Sequence, residues 1–140
     1  MRRYGKFRGV VVNTLDPQQR GRIMAIVPDI GDAPLSWATP CLPGAGMGTG
    51  LFVLPPVGAS VWIEFEQGDV DYPIWTGGSW ESAAEVPART GPTAWSWARG
   101  PLRIEMSPEP GNERLELRCG DTSITLSPQG VTIAGGLVQL

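Results

Sequence analysis

Few side chains in this 140-residue chain are equipped for chemistry, and their spacing favours little of it. Histidine is absent, which removes the commonest general base and the commonest metal ligand together. Asp69 and Asp71 share a turn and imitate a paired carboxylate, and Asp29 with Asp32 offers two oxygens to calcium. Neither pair comes with a nucleophile, a base or a third ligand, and aspartate at such places is ordinary turn chemistry. The glycine-dense stretch Gly44-Ala45-Gly46-Met47-Gly48-Thr49-Gly50 suggests a phosphate cradle, but no Lys-Ser/Thr follows and no helical periodicity opens after it. Cys41 and Cys119 lie far apart without a C-x-x-C spacing and are expected to be small buried hydrophobes. Trp37, Trp62 and Trp75 offer stacking platforms for bases or sugars. No catalytic residue, metal ligand or cofactor is expected.

The elements that must position these groups are strands. Nineteen glycines and fourteen prolines exclude long helices, while 41% apolar residues is too many for disorder. The β-branched run from Phe7 to Asn13, the turn Asp16-Pro17-Gln18-Gln19 and the stretch Gly21 to Val27 predict a hairpin. A long irregular connection follows from Asp29 to Gly50, and a short apolar strand is expected at Gly50 to Leu54. Val61, Ile63 and Phe65 alternate with Trp62, Glu64 and Glu66, and Pro73 to Trp80 reads as a further strand. About five short strands without a helix predict a small closed or nearly closed barrel, because closure removes exposed sheet edges.

Residues 81–101 read as a linker rich in Ala, Pro, Thr and Gly, with Trp95 and Trp97 as anchor points. Beyond it alternation becomes strict. Leu102, Ile104 and Met106, then Leu115, Leu117 and Cys119, then Ile124 and Leu126, then Val131 and Ile133 interleave with polar residues. Such a ribbon has one apolar face and no helix to cover it, and alone it is marginal in water. Each apolar side chain gains about 1.5–3 kcal/mol from full burial. Either the ribbon folds back on the barrel or copies of the chain cover one another, and packing alone does not choose.

Charge is unevenly placed. Residues 1–27 carry six basic groups against Asp16 alone, while the remainder carries five arginines against thirteen acids. A net charge of −3 disfavours nucleic acid as a partner of the whole molecule and suits complementary patches between protein subunits. No apolar run approaches a membrane span, and Arg2, Arg3, Tyr4, Gly5 and Lys6 lead into no apolar signal segment. The expectation is synthesis and assembly in a cytoplasm.

Several stretches, in order and with similar spacing, resemble one family. They are Tyr4-Gly5-Lys6-Phe7-Arg8-Gly9-Val10-Val11, Asp16-Pro17 with Gly21-Arg22-Ile23, and Val27-Pro28-Asp29. They continue with Trp37-Ala38-Thr39-Pro40-Cys41, the stretch Leu54 to Glu66, and Gly68-Asp69 through Tyr72-Pro73-Ile74-Trp75. The likeness is to the OB-fold domain of baseplate spike proteins of contractile phage tails, of the valine-glycine repeat proteins of type VI secretion and of extracellular injection systems. The resemblance implies an all-β homotrimer. Residues 1–80 would be a five-stranded OB-fold barrel, 81–101 a linker, and 102–140 a short triple-stranded β-helix forming a needle.

The implied function is structural and non-enzymatic. The barrels dock on a baseplate hub, and the needle pierces the target envelope when the sheath contracts, meeting the membrane only transiently. The needle core would be Leu102, Ile104, Met106, Leu115, Leu117, Ile124, Leu126, Val131 and Ile133. Hub or inter-barrel contacts would come from Arg2, Arg3, Lys6, Arg8, Arg20, Arg22 and Trp37. Three departures stand out: no room for a muralytic insert, no histidines for iron at the tip, and no clean eight-residue repeat. A blunt finish at Leu137-Val138-Gln139-Leu140 suggests a separate tip-capping protein of the proline-alanine-alanine-arginine type. The alternative is an OB-fold binder of single-stranded nucleic acid or oligosaccharide.

Overall fold

The computed structural model describes residues 1–87 and 91–136, and the chain divides into two compact units, Met1–Ala83 and Ala84–Leu140. The four residues expected to form the blunt finish lie outside the described residues.

The first unit is built on β1 (Phe7–Asn13), β2 (Met24–Ile26), β3 (Thr39–Pro40), a small hairpin of β4 (Ala45–Gly46) and β5 (Thr49–Gly50), then β6 (Ser60–Phe65) and β7 (Pro73–Ser79). Hydrogen bonding orders the main sheet β2-β1-β6-β7-β3, with β3 and β7 parallel and the other pairs antiparallel. An antiparallel bridge between Ile23 and Ala38, just ahead of β2 and β3, joins the two ends. The Ala38 N–H donates to the Ile23 carbonyl at 2.7 Å, and the Ile23 N–H returns the bond at 3.2 Å. The result is a curled five-stranded barrel sheet whose two ends meet at this bridge.

Alternation selects its core. Val11, Ile23, Ala25, Val27, Ala38, Val61, Ile63, Phe65 and Trp75 are buried, and Phe7, Leu54 and Val70 pack against them. Gly9 interrupts β1 on its inward face for a steric reason. A Cβ there would lie 3.1 Å from Ile63 Cγ1 and 3.3 Å from Val27 Cγ2.

Two expectations about this unit are corrected. The apolar segment 51–54 is not a strand: β5 ends at Gly50, and Leu51 and Phe52 face solvent. The chain carries two consecutive prolines at 55 and 56, which cannot donate to a ladder. Cys41 is exposed, as is Cys119 in the second unit, so neither is the buried hydrophobe expected.

The second unit is one antiparallel meander: β8 (Trp95–Arg99), β9 (Leu102–Ser107), β10 (Arg114–Cys119), β11 (Thr122–Ser127) and β12 (Gly130–Ala134), in that spatial order. Trp95–Arg99, read from sequence as linker, is its first edge strand and pairs with β9 from Trp95↔Met106 to Arg99↔Leu102. The Ala/Pro/Thr/Gly composition around it concealed a Trp-Ser-Trp alternation that continues the pattern of β9. Tight turns set the register, and Gly120 supplies one by adopting φ +57° between β10 and β11.

Candidate functional site

Register brings the apolar residues of the second unit into two rows that run unbroken across all five strands. One row is Trp95–Met106–Leu115–Leu126–Val131, and the other is Trp97–Ile104–Leu117–Ile124–Ile133. Leu102 extends the same face, beside Cys119. All nine residues expected in a needle core therefore share one side of one sheet. Sequence reading missed that Trp95 and Trp97 complete the rows. Apart from half-buried Leu115, these side chains are exposed, from 36% for Met106 to 68% for Trp95. Trp95, Met106, Leu115 and Leu126, with Pro108 and Pro128, line an open groove of about 450 Å³ at one end of the face.

The opposite side is polar and better sheltered. Glu105 stands directly across from Glu116, and Arg103 from Arg118, so the rows pair like charges, which alone is unfavourable. Salt bridges offset this: Arg103 with Glu105 and Arg118 Nε with Glu116 Oε1 at 3.0 Å along the strands, and Arg114 Nη2 with Glu105 Oε2 at 3.8 Å across them. Thr125 Oγ1 donates to Glu116 Oε2 at 3.3 Å. Glu116 is consequently buried at 9% exposure, and the Arg118 guanidinium holds its carboxyl below the usual range against the opposing effect of burial. The polar side makes these pairs within one chain yet leaves Arg114 Nε buried without a hydrogen-bond partner, whereas the apolar side stays exposed.

The barrel positions the basic residues differently. Asp16 is the hub of the connection between β1 and β2. Its carboxylate accepts from the backbone N–H groups of Gln18 and Arg20 at 2.9 Å each and Arg22 at 3.3 Å. It also binds the Arg22 guanidinium, at 2.7 Å from Nη2 and 3.1 Å from Nε. The Arg22 side chain, through this bond first, and then the backbone N–H groups, hold Asp16 well below the usual carboxylate range. Gly21 takes φ +71° inside this turn, and its carbonyl receives the buried Trp75 indole N–H at 3.0 Å. The sequence stretch Asp16-Pro17 to Gly21-Arg22-Ile23 thus has a physical meaning: one carboxylate, one left-handed glycine and one arginine lock a barrel corner. Sequence alone showed only a turn here.

Of the residues expected at a hub contact, Arg22 is spent on Asp16 and stacks over Trp37 at 5.6 Å. Arg8 lies 4.7 Å over Trp62 and reaches Glu81 at 3.1 Å. Lys6 meets Glu64 at 2.7 Å, Arg2 meets Asp69 at 3.6 Å, and Arg20 Nη1 donates to Gln18 Oε1 at 3.1 Å. The Arg3 N–H donates to the Gly68 carbonyl at 2.8 Å. The exposed ion pairs are weak and readily exchanged for a partner's. The three indoles proposed as stacking platforms are used otherwise among the described residues: Trp75 is in the core, and Trp62 and Trp37 each sit under an arginine. Asp69 accepts from the Asp71 N–H at 3.1 Å, as a turn-forming aspartate does.

A family model for the type VI secretion system/phage-baseplate injector OB domain matches residues 7–80. The chain belongs to this family. A comparison with curated proteins finds no match. The injector OB domain coincides with the barrel, and membership gives the chain a structural, baseplate-related role in a tail particle, in association with baseplate or hub components. Among the described residues no helix is long and apolar enough to cross a membrane, and no group of three His, Cys, Asp or Glu is placed to hold a metal.

Proposed function

We propose that this chain is the central spike of a contractile injection particle. Three copies associate, their injector OB barrels dock on the baseplate hub, and their C-terminal sheets form a β-structured needle that enters the target envelope on sheath contraction. The observation that carries the reading is the pair of complete apolar rows on the second sheet. Nine of the ten residues in these rows are exposed and only Leu115 is half-buried, so no described element of the second unit covers this face. Sister chains are the cover that a homomeric spike supplies. The role is mechanical: a dry, closely packed axis resists bending because interiors at crystal-like density transmit strain.

Arg2, Arg3, Lys6, Arg8 and Arg20 are proposed to meet the hub or the neighbouring barrel, with Arg22 and Trp37 holding the corner that presents them. A separate tip-capping protein of the proline-alanine-alanine-arginine type is a further proposed partner. Light scattering coupled to size exclusion tests the core of the proposal. The expected mass is three times 15.0 kDa, and a one-chain mass at micromolar concentration overturns it.

A further inference from the structure

Residues 33–63 contain no Asp, Glu, Lys or Arg, although charged residues make up 18% of the chain. This neutral run holds the hairpin of β4 and β5, a two-stranded sheet of its own with Ala45 opposite Gly50 and Gly46 opposite Thr49. Every residue from Pro43 to Phe52 is exposed; Met47, in the turn, is wholly so, and Phe52 is 71% exposed. A two-stranded hairpin alone is marginal in water, but both ends of this one are fixed to the barrel. The Cys41 N–H donates to the Trp75 carbonyl at 2.9 Å, and Leu42 and Leu54 pack against the core. A Cβ on Gly21 would lie 3.5 Å from Phe52 Cε2, so one edge of that ring rests beside the Asp16 corner while most of it stays exposed. The barrel thus holds out a charge-free apolar hairpin whose tip buries nothing in its own core.

From this we infer that the hairpin, with Met47, Leu51 and Phe52 as its anchors, inserts into an uncharged apolar cleft on the baseplate hub protein, a reading that rests on the hub docking proposed above and says which surface performs it. Family membership supplies the partner, since injector OB domains associate with baseplate or hub components. Charge supplies the chemistry of the cleft. Arg2, Lys6, Arg8 and Arg22 already have carboxylate partners within the chain, at Asp69, Glu64, Glu81 and Asp16. The hairpin has no charge to pair, so a charged receptor surface would lose its hydration there for nothing. Nucleic acid and anionic lipid both call for cations, which this run does not contain. A sister hairpin is disfavoured by symmetry: edge-to-edge pairing of two identical strands is a two-fold contact, which three copies do not provide. An unbranched methionine at the tip suits insertion, because its flexible thioether fills an irregular pocket. Fixed ends lower the ordering cost of docking.

The test measures binding of the full chain to the purified hub protein of the same particle. Met47→Asp is expected to weaken that binding by about tenfold or more, while the melting temperature and the assembled mass of the chain stay those of the wild type. Tyr72→Asp, which puts the same charge at another exposed apolar residue of the barrel, is expected to leave the affinity unchanged. A second arm needs no variant: the affinity of the wild-type chain is expected to vary by less than about threefold as salt rises to roughly 0.5 M, because an uncharged contact is not screened. A Met47→Asp chain that binds as tightly as the wild type overturns the inference, and so does equal weakening by Tyr72→Asp. A steep loss of affinity with salt overturns it in favour of the basic residues. A fall in assembled mass on Met47→Asp overturns it in favour of a contact between sister barrels. In each of these cases hub docking itself stands. A wild-type chain that does not bind the hub protein sinks the hub docking proposed above and this inference with it.

Discussion

The two units of this molecule use the same strand alternation and arrive at opposite solutions. In the barrel, inward residues meet across a ring whose ends join, and Ile23, Ile63, Val11 and Val27 reach 1% exposure or less. In the meander, equivalent apolar residues stand in rows as regular as any core but face water, while the polar side is knitted together by arginines and glutamates. Closure is the difference. A ring joined by the Ile23–Ala38 bridge has an inside, whereas an open five-stranded sheet has two outsides. The lesson is that hydrophobic alternation says which side wants covering, and topology says whether the chain can cover it.

The sharpest way to break this comparison is to remove core from each unit. Ile63→Ala is expected to destabilise the barrel by about 2–5 kcal/mol, with a chemical-denaturation midpoint independent of protein concentration. Leu117→Ser is expected to weaken assembly by roughly 1.5–3 kcal/mol per copy, seen as a dissociation midpoint that shifts with dilution by light scattering. If Leu117→Ser behaves like Ile63→Ala, with no concentration dependence, the second unit covers itself and the contrast collapses.

The acid limb of stability sharpens it next. Asp16 in the barrel and Glu116 in the sheet both have folded-state acidities pushed below their ordinary values by arginine. Such a group stabilises above its unfolded pKa of about 4 and loses that contribution as pH falls below it. Melting temperature is expected to fall from pH 5 to pH 2. Asp16→Asn is expected to lower it by several degrees at pH 7 and to flatten the acid limb of the barrel transition. An unchanged acid limb would mean that the Asp16 carboxylate contributes nothing to the stability of the corner.

The smallest effect is expected on the exposed barrel face. Arg8→Ala removes a solvent-facing pair with Glu81 and the stacking over Trp62, and is expected to cost no more than about 1 kcal/mol. Tryptophan fluorescence should report the uncovered indole while the melting temperature scarcely moves. The same face provides a control on the alternative reading. An oligonucleotide is expected to show no binding with a steep salt dependence, and such a slope would restore nucleic-acid recognition.

Much was legible before any coordinates. The strands Phe7–Asn13, Ser60–Phe65 and Pro73–Ser79 follow from two-residue alternation and turn residues, and so do the four strands from Leu102 onward. The apolar side of every one of them was readable too. What failed were readings in which composition spoke louder than pattern. Trp95–Arg99 was hidden by neighbouring Ala, Pro, Thr and Gly. Residues 51–54 were apolar enough for a strand but had no ladder to join. Cysteine's general habit of burial misplaced Cys41 and Cys119. Trp75, offered as a stacking platform, is a core residue whose indole N–H closes the Asp16 corner from beneath.

By itself, then, the order of residues determined that this protein is all-β, where its turns fall and which side of each strand shuns water. These are properties of a few consecutive residues, set by pleat geometry and by the backbone freedom of glycine and proline. Only the tertiary structure decided that the first strands close into a ring, that Asp16 gathers three backbone donors and one guanidinium, and that ten apolar side chains align into two rows. Those outcomes depend on register between segments up to some 60 residues apart, such as Phe7 with Ile63. Register is fixed by the joint fit of many side chains, and no local stretch of sequence carries it.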